Sequence, residues 1–294
     1  MRPFVDRPIT DLGAAGDLAV DAAAYWELPE PVLLRAGMNA IYRSGDVVLR
    51  VSEPSAPASA SLELAERLLE AGLRVTRPVR TDTFGQAGLH ATAWEHIEAT
   101  GELIDWRAVG AMVRMVHTLD KDDLPSEYPL PQPVDFPWWD FDTLFAQIGD
   151  VLDHEARRGI EQAIGRWPDW ADQAGAVVCH GDVHPGNVIM APDGPVLIDW
   201  DLMCVAPPGW DHAPLMTLSE RWGGEPGVYA AYADGYGSSL RAQPSAEAFA
   251  ELRLVAATLM RVRAGMSNEA AMPEAQRRLA YWRGESDAPA WQAQ

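Results

Sequence analysis

The chain has 294 residues, 48% of them apolar, which gives ample length for a core and makes disorder a poor reading. A net charge of −20 argues against a nucleic-acid backbone as partner and is compatible with a cationic substrate or with simple solubility. No stretch approaches about 18 uncharged apolar residues. The start MRPFVDRPITDLGAAG has no signal-like apolar run, and two cysteines, Cys179 and Cys204, make no disulfide framework. A cytoplasmic protein is expected, off the membrane and with no feature that demands an obligate protein partner.

Residues 1–30 are alanine-rich with a weak helical pattern. PVLLRAGMNAIYRSGDVVLRVS, residues 31–52, reads as three strands, VLLR, AIYR and VVLRV, joined by AGMN and SGD turns. Ser61 to Ala71 has a helical face of Leu62, Ala65, Leu68 and Leu69, with Gly72 as its stop. VTRPV and LHATAW are two more strand candidates, so residues 31–95 describe a small antiparallel sheet with one helix. Past residue 100 the pattern turns helical. IDWRAVGAMVRMVHTL follows an Asp105 cap, a Pro- and Trp-rich stretch spans 127–142, and helical runs cover roughly 141–152 and 155–166. Then come AVVC, CHGDVHPGNVIM, the turn APDGP and VLIDW, and a mainly helical remainder interrupted by GGEPG and GYGSS. The pattern gives an α+β chain with a boundary near residues 95–100.

CHGDVHPGNVIM, residues 179–190, carries the chemistry. Asn187 follows Asp182 by five residues, and Asp199 follows Asn187 by twelve. In phosphoryl transfer one carboxylate aligns a hydroxyl nucleophile and two further oxygen ligands hold a metal. The PDGP turn can bring Asn187 and Asp199 side by side, and an all-oxygen pair suits Mg²⁺. His180 reads as a hydrogen-bonding strut. Two other readings stay open: a hairpin with polar punctuation, and a zinc or iron site on His180, Asp182 and His184, which would make the protein a metal-dependent hydrolase.

CHGDVHPGNVIM followed by GPVLIDWDLMCVAPPGWDHAPL resembles the aminoglycoside phosphotransferase and small-molecule kinase superfamily, which includes choline, homoserine and fructosamine kinases. The likeness runs from about residue 30 to about residue 265. It implies a bilobal protein-kinase-like fold, with residues 1–96 as a small antiparallel β-sheet N-lobe that binds nucleotide. Residues 97–294 would form a larger, mainly helical C-lobe for catalysis and acceptor binding. By the same resemblance Asp182 is the catalytic residue, Asn187 and Asp199 bind Mg²⁺, and Asp211 holds the segment after the metal ligand. The donor is ATP, with GTP open, and the acceptor is the hydroxyl of a small molecule, an aminoglycoside or another cationic or sugar-like compound. The alternative is a silent nucleotide-binding scaffold of the same fold.

In this frame the AGMN turn with Gly37 is a reduced lid over the nucleotide. Lysine is the usual phosphate cation on the next strand, but the single lysine, Lys121, lies in the wrong segment, which leaves Arg50. Strand alternation puts Val48 on the face of Arg50, above adenine. Glu63, Glu66 and Glu70 share a helix face, and the resemblance favours Glu63 as the acid on Arg50. Backbone groups at His96 and Ile97 would meet the adenine edge. Trp138, Asp140, Asp142, Glu220 and Trp222 are acceptor candidates, because aromatic faces and carboxylates suit a cation.

Overall fold

The computed structural model describes residues 4–292. It begins with a short strand, β1 (Asp6–Arg7), and helix α1 (Leu12–Tyr25), whose N-terminus is capped by the Asp11 carboxylate on the Ala14 N–H. Ala15, Ala19 and Ala22 are buried on α1, and these small side chains let the helix lie close against the sheet. That sheet contains β2 (Val32–Ala36), β3 (Ala40–Ser44) and β4 (Val47–Pro54). After helix α2 (Ser59–Glu70) it is completed by β5 (Phe84–Gln86) and β6 (Leu89–Glu95). The order β2-β3-β4-β6-β5 is antiparallel throughout, and β1 joins the end of β4.

VTRPV is not a strand. It makes two isolated bridges, Val75 to Leu197 and Pro78 to Trp94, because Pro78 has no N–H to continue a ladder. The strands β1 and β5 have no counterpart in the sequence pattern; each is two or three residues long, too short to show alternation.

The helical region opens with α3 (Trp106–Val116), capped by Asp105 on the Ala108 N–H. The helices α4 (Phe141–Ile148) and α5 (His154–Gly165) follow. The first is shorter than its pattern suggests, since it stops at Gly149 with φ 58°. Four short strands come next: β7 (Val177–Cys179), β8 (Val188–Ala191), β9 (Gly194–Leu197) and β10 (Cys204–Ala206). β8 and β9 form a hairpin, and β7 pairs with β10. The chain then runs through α6 (Gly209–Met216), α7 (Leu218–Arg221), α8 (Val228–Tyr236), α9 (Pro244–Ser267) and α10 (Met272–Trp282).

α3 and α8 pack backbone to backbone. A Cβ on Gly110 would stand 2.0 Å from the Tyr232 carbonyl oxygen, and one on Gly235 1.8 Å from that of Arg107. One core is built on α9, with Phe249, Leu252, Val255 and Leu259 against Trp139 and Trp210. A second joins Leu64 and Leu68 of α2 to Val109 and Val113 of α3 and to Val183 and Leu197, so apolar packing is continuous from the sheet's helix into the helical lobe. That continuity fixes the cleft between the sheet and the β8–β9 hairpin. No described helix is long and apolar enough to cross a membrane.

Candidate active site

The segment CHGDVHPGN leaves β7 and enters β8, and buried hydrogen bonds fix its shape. Asp211, wholly buried on α6, accepts from the His180 N–H at 2.8 Å and the Gly181 N–H at 2.8 Å. The same carboxylate meets His117 Nε2 at 3.1 Å. Gly181 has φ +93°, and a Cβ there would stand 1.8 Å from the Leu202 carbonyl oxygen, so only glycine fits. His180 is buried, with Nε2 donating to the Ile198 carbonyl at 3.1 Å and Nδ1 accepting from the Asp182 N–H at 3.3 Å. Burial holds its pKa down, consistent with a neutral ring.

Asp182 sits at the turn. Its Oδ2 receives His184 Nε2–H at 3.2 Å and Asn187 Nδ2–H at 3.2 Å, and its Oδ1 receives Arg253 from α9. His184 Nδ1 accepts from the Gly186 N–H at 3.0 Å, which sets the tautomer carrying hydrogen on Nε2. Burial works to raise the Asp182 pKa, but the His184 hydrogen bond and the Arg253 charge outweigh it and hold the carboxyl well below its usual range. Asp182 is therefore an anion with fixed orientation. Both ring nitrogens of His180 and of His184 have protein partners, so the turn's polar groups are satisfied without a zinc ion.

Asn187 is buried and also donates Nδ2 to the Asp182 carbonyl at 2.9 Å, so its Oδ1 is the atom left to bind a cation. Its carbonyl accepts from the Ile198 N–H at 3.1 Å, which brings the residue before Asp199 alongside it. Asp199 has φ 64°, a left-handed conformation uncommon for a non-glycine residue and strained enough to be a functional pointer. The crowded cleft floor and then the charge of Asp201 raise its pKa, with Arg50 opposing. An amide oxygen with carboxylates is a hard, all-oxygen donor set, which fits Mg²⁺.

Above these groups lies a cavity of about 530 Å³, within the range of small-molecule sites. Gly37, Val48, Arg50, His96 and Ile97 all line it, as do Asp182 and Asp199. Apolar walls come from Ile41 on the sheet and from Ile189 and Ile198 below. Arg50 is on the central strand β4, opposite Ile41 and Thr92, and not at an edge. The His96 N–H is bonded to the Asp46 carbonyl at 3.1 Å; among the described residues the Ile97 N–H and the His96 carbonyl have no hydrogen bond. The Gly37 N–H closes a turn on the Asn39 carbonyl at 3.0 Å, so the reduced lid spends that donor on itself.

The acid on Arg50 is not Glu63. Glu63, Glu66 and Glu70 lie on the exposed face of α2, because the apolar face of that helix is turned to the core. The Arg50 guanidinium instead pairs with Asp6 of β1 and with Asp201, at 2.7 Å. Asn39 Nδ2 donates to Asp201 at 3.0 Å and so ties the lid to the segment that carries Asp199. Asp201 lies in VLIDWD, two residues past Asp199, where spacing alone gives it no task; Asp6 and Arg253 carry no local sequence signal, because each reaches the site from a distant element.

A scan against family models matches residues 39–255 to the phosphotransferase enzyme family. The chain belongs to this family. No curated protein sequence matches the chain. Among solved structures, a spectinomycin phosphotransferase in complex with ADP and spectinomycin is similar at TM-score 0.63 and 15% identity, covering 89% of this chain and 94% of that one. A GDP complex of an aminoglycoside 2′-phosphotransferase has TM-score 0.70 and 13% identity, over 94% and 99% of the two chains. A choline kinase from Streptococcus pneumoniae has TM-score 0.57 and 18% identity, over 89% and 96%. At these identities the likeness is one of fold, bilobal and protein-kinase-like.

The acceptor candidates of this phosphotransferase fare unevenly. Trp138 lines both the large cavity and a smaller one beside it. Asp140 is the N-cap of α4, accepting from the Thr143 N–H at 3.0 Å, and Asp142 is exposed in that helix's first turn. Glu220 is exposed, 3.9 Å from Arg241. Trp222 packs against Trp291 and beneath the Arg278 guanidinium. None of these four lines either cavity. A helix cap accounts for Asp140 and an aromatic stack for Trp222, while Asp142 and Glu220 are exposed side chains away from both cavities.

Proposed function

We propose that this phosphotransferase moves the γ-phosphoryl group of ATP to a hydroxyl of a small molecule, with residues 1–96 as the nucleotide-binding lobe and 97–294 as the catalytic and acceptor lobe. The observation that carries the proposal is the Asp182 anion, oriented by the Asn187 Nδ2–H and by His184, with Asp199 beside it in the lining of a cleft roofed by Val48 and Arg50. Adenine lies between Val48 and Ile41 above and Ile189 and Ile198 below, with its edge against the Ile97 N–H and the His96 carbonyl. The Arg50 guanidinium faces the phosphates. Asn187 and Asp199 would hold Mg²⁺, which would neutralise phosphate charge when bound. Asp182 accepts the hydrogen of the acceptor O–H and points its oxygen at phosphorus. The oxygen–phosphorus bond forms as the bond from phosphorus to the bridging oxygen of ADP breaks, and the hydroxyl proton passes to Asp182. His184 and Asn187 keep the carboxylate in place during that step.

The test is ADP release with mass analysis of the acceptor, across hydroxylated compounds, with GTP as the competing donor. Asp182→Asn should keep ATP affinity in calorimetry and lose about 10²–10⁴ in turnover. Near-parent turnover in that variant sinks the role of Asp182. ATP that binds and never turns over, with any acceptor, supports the silent scaffold instead.

A further inference from the structure

The smaller cavity, of about 220 Å³, opens beside the catalytic turn. Its walls are Phe136, Trp138, Trp139 and Trp210 on one side and Ala256 and Met260 of α9 on the other. Gly181 lies in its lining, and the single charged side chain there is Arg253. Asp182 lines the nucleotide cavity and Arg253 lines the smaller one, so the Arg253–Asp182 pair marks the junction of the two spaces.

Arg253 is about one-quarter exposed. One guanidinium nitrogen meets Asp182, and the other approaches the Gly181 carbonyl at 3.4 Å. A guanidinium has five N–H donors in a rigid fork. Two contacts leave donors over, among the described residues, on a side chain that lines an otherwise apolar pocket. The pocket wall itself holds no carboxylate, so a cationic acceptor would meet the guanidinium side of the Arg253–Asp182 pair. The four acidic or aromatic candidates that would favour a cation lie elsewhere.

We infer that this cavity is the acceptor subsite and that Arg253 selects its occupant: a compact, ring-bearing alcohol with an anionic group near the hydroxyl, and not a polycation. The ring lies against the Trp138 and Trp210 side, the anion takes the spare Arg253 donors, and the hydroxyl reaches Asp182. This rests on the reading of Asp182 as the group that aligns the acceptor hydroxyl. The negative net charge of the chain does not decide the matter: Asp182 balances the charge of Arg253, but it is the guanidinium and not the carboxylate that lines this pocket.

Tryptophan fluorescence titration with the full chain, in the presence of Mg²⁺ and a non-hydrolysable ATP analogue, tests it. The probes are 3-phenyllactate, its amide and phenylalaninol, which share a ring and a hydroxyl and carry an anion, no charge and a cation. Phenyllactate should bind at least about tenfold more tightly than either of the others, the scale of one charge-assisted contact. Arg253→Gln should erase that preference. Met260→Trp, which fills the cavity and keeps Arg253, should abolish binding of all three probes. Equal or tighter binding of phenylalaninol, a preference that survives Arg253→Gln, or no binding of phenyllactate to the parent overturns the inference. Loss of ATP-analogue binding in the parent chain would overturn the phosphotransfer reading instead, so the two failures are distinct.

Discussion

Arg50→Ala should cost stability as well as nucleotide affinity. The Arg50 side chain is 18% exposed and stands between Asp6, 4% exposed, and Asp201, 9% exposed. Truncating it leaves two nearly buried carboxylates facing each other with no cation. Breaking a buried pair in this way costs about 3–5 kcal/mol, because the remaining charge stays desolvated and uncompensated. In a chain of this size the melting temperature should fall by on the order of 10 °C. Burial already raises the Asp6 carboxyl above its ordinary value while Arg50 opposes the shift, and removing Arg50 raises it further. A carboxyl whose folded pKa is raised favours the fold when protonated, so the excess cost of Arg50→Ala is present at neutral pH and fades as pH falls through the carboxylate range. The triple variant Arg50→Met, Asp6→Asn, Asp201→Asn should recover much of the lost stability, since it removes the uncompensated charges together. Urea unfolding at about pH 7 and about pH 4.5 measures these differences. A loss under about 1 kcal/mol at neutral pH, or the same loss at both values, refutes the reasoning. In calorimetry the same variant should bind ATP about ten- to a hundredfold more weakly, the scale of charge-assisted phosphate contacts.

Asp199→Ala should weaken Mg·ATP binding more than Asn187→Ala, since it removes a charge and not only a dipole; equal binding by both variants and the parent in calorimetry would rule out the metal pair. Asn187→Ala should also release Asp182 Oδ2 from one of its two donors, so it should lower turnover beyond its effect on nucleotide affinity. Burial disfavours a charged His117, but the hydrogen bond to Asp211 prevails and pushes it up to about 10, while Asp211 is held low by the same pair. A raised histidine stabilises the fold fully below the ordinary imidazole value near 6.5 and loses that contribution as pH climbs toward the folded value. The stability gap between the parent and His117→Gln should therefore be wide at about pH 6 and shrink by about pH 9.5 in urea melts; a constant gap would show that His117 is neutral in the fold.

Sequence alone determined the parts whose physics is local. Short apolar runs punctuated by the AGMN and SGD turns specified three adjacent strands over VLLR, AIYR and VVLRV, and the Asp105 cap before an apolar helical face specified α3. The Asp182–Asn187–Asp199 spacing brought those residues to one turn and hairpin, because a short hairpin leaves little freedom in where its ends meet. Val48 and Arg50 shared a face for the same reason, as strand geometry requires. The roles that depend on who arrives from elsewhere were decided by tertiary structure. Arg50 takes Asp6 and Asp201, 44 and 151 residues away, and not an acid of α2, because burial of the apolar face of that helix turns Glu63 outward. Asp182 meets Arg253 across 71 residues, which no periodicity encodes. Asp140 and Trp222 have the composition of a ligand site and are taken up by a helix cap and an aromatic stack. Backbone patterns constrain near neighbours through fixed geometry, whereas the partner of a charge is chosen by whichever distant element the packing of the core brings within reach.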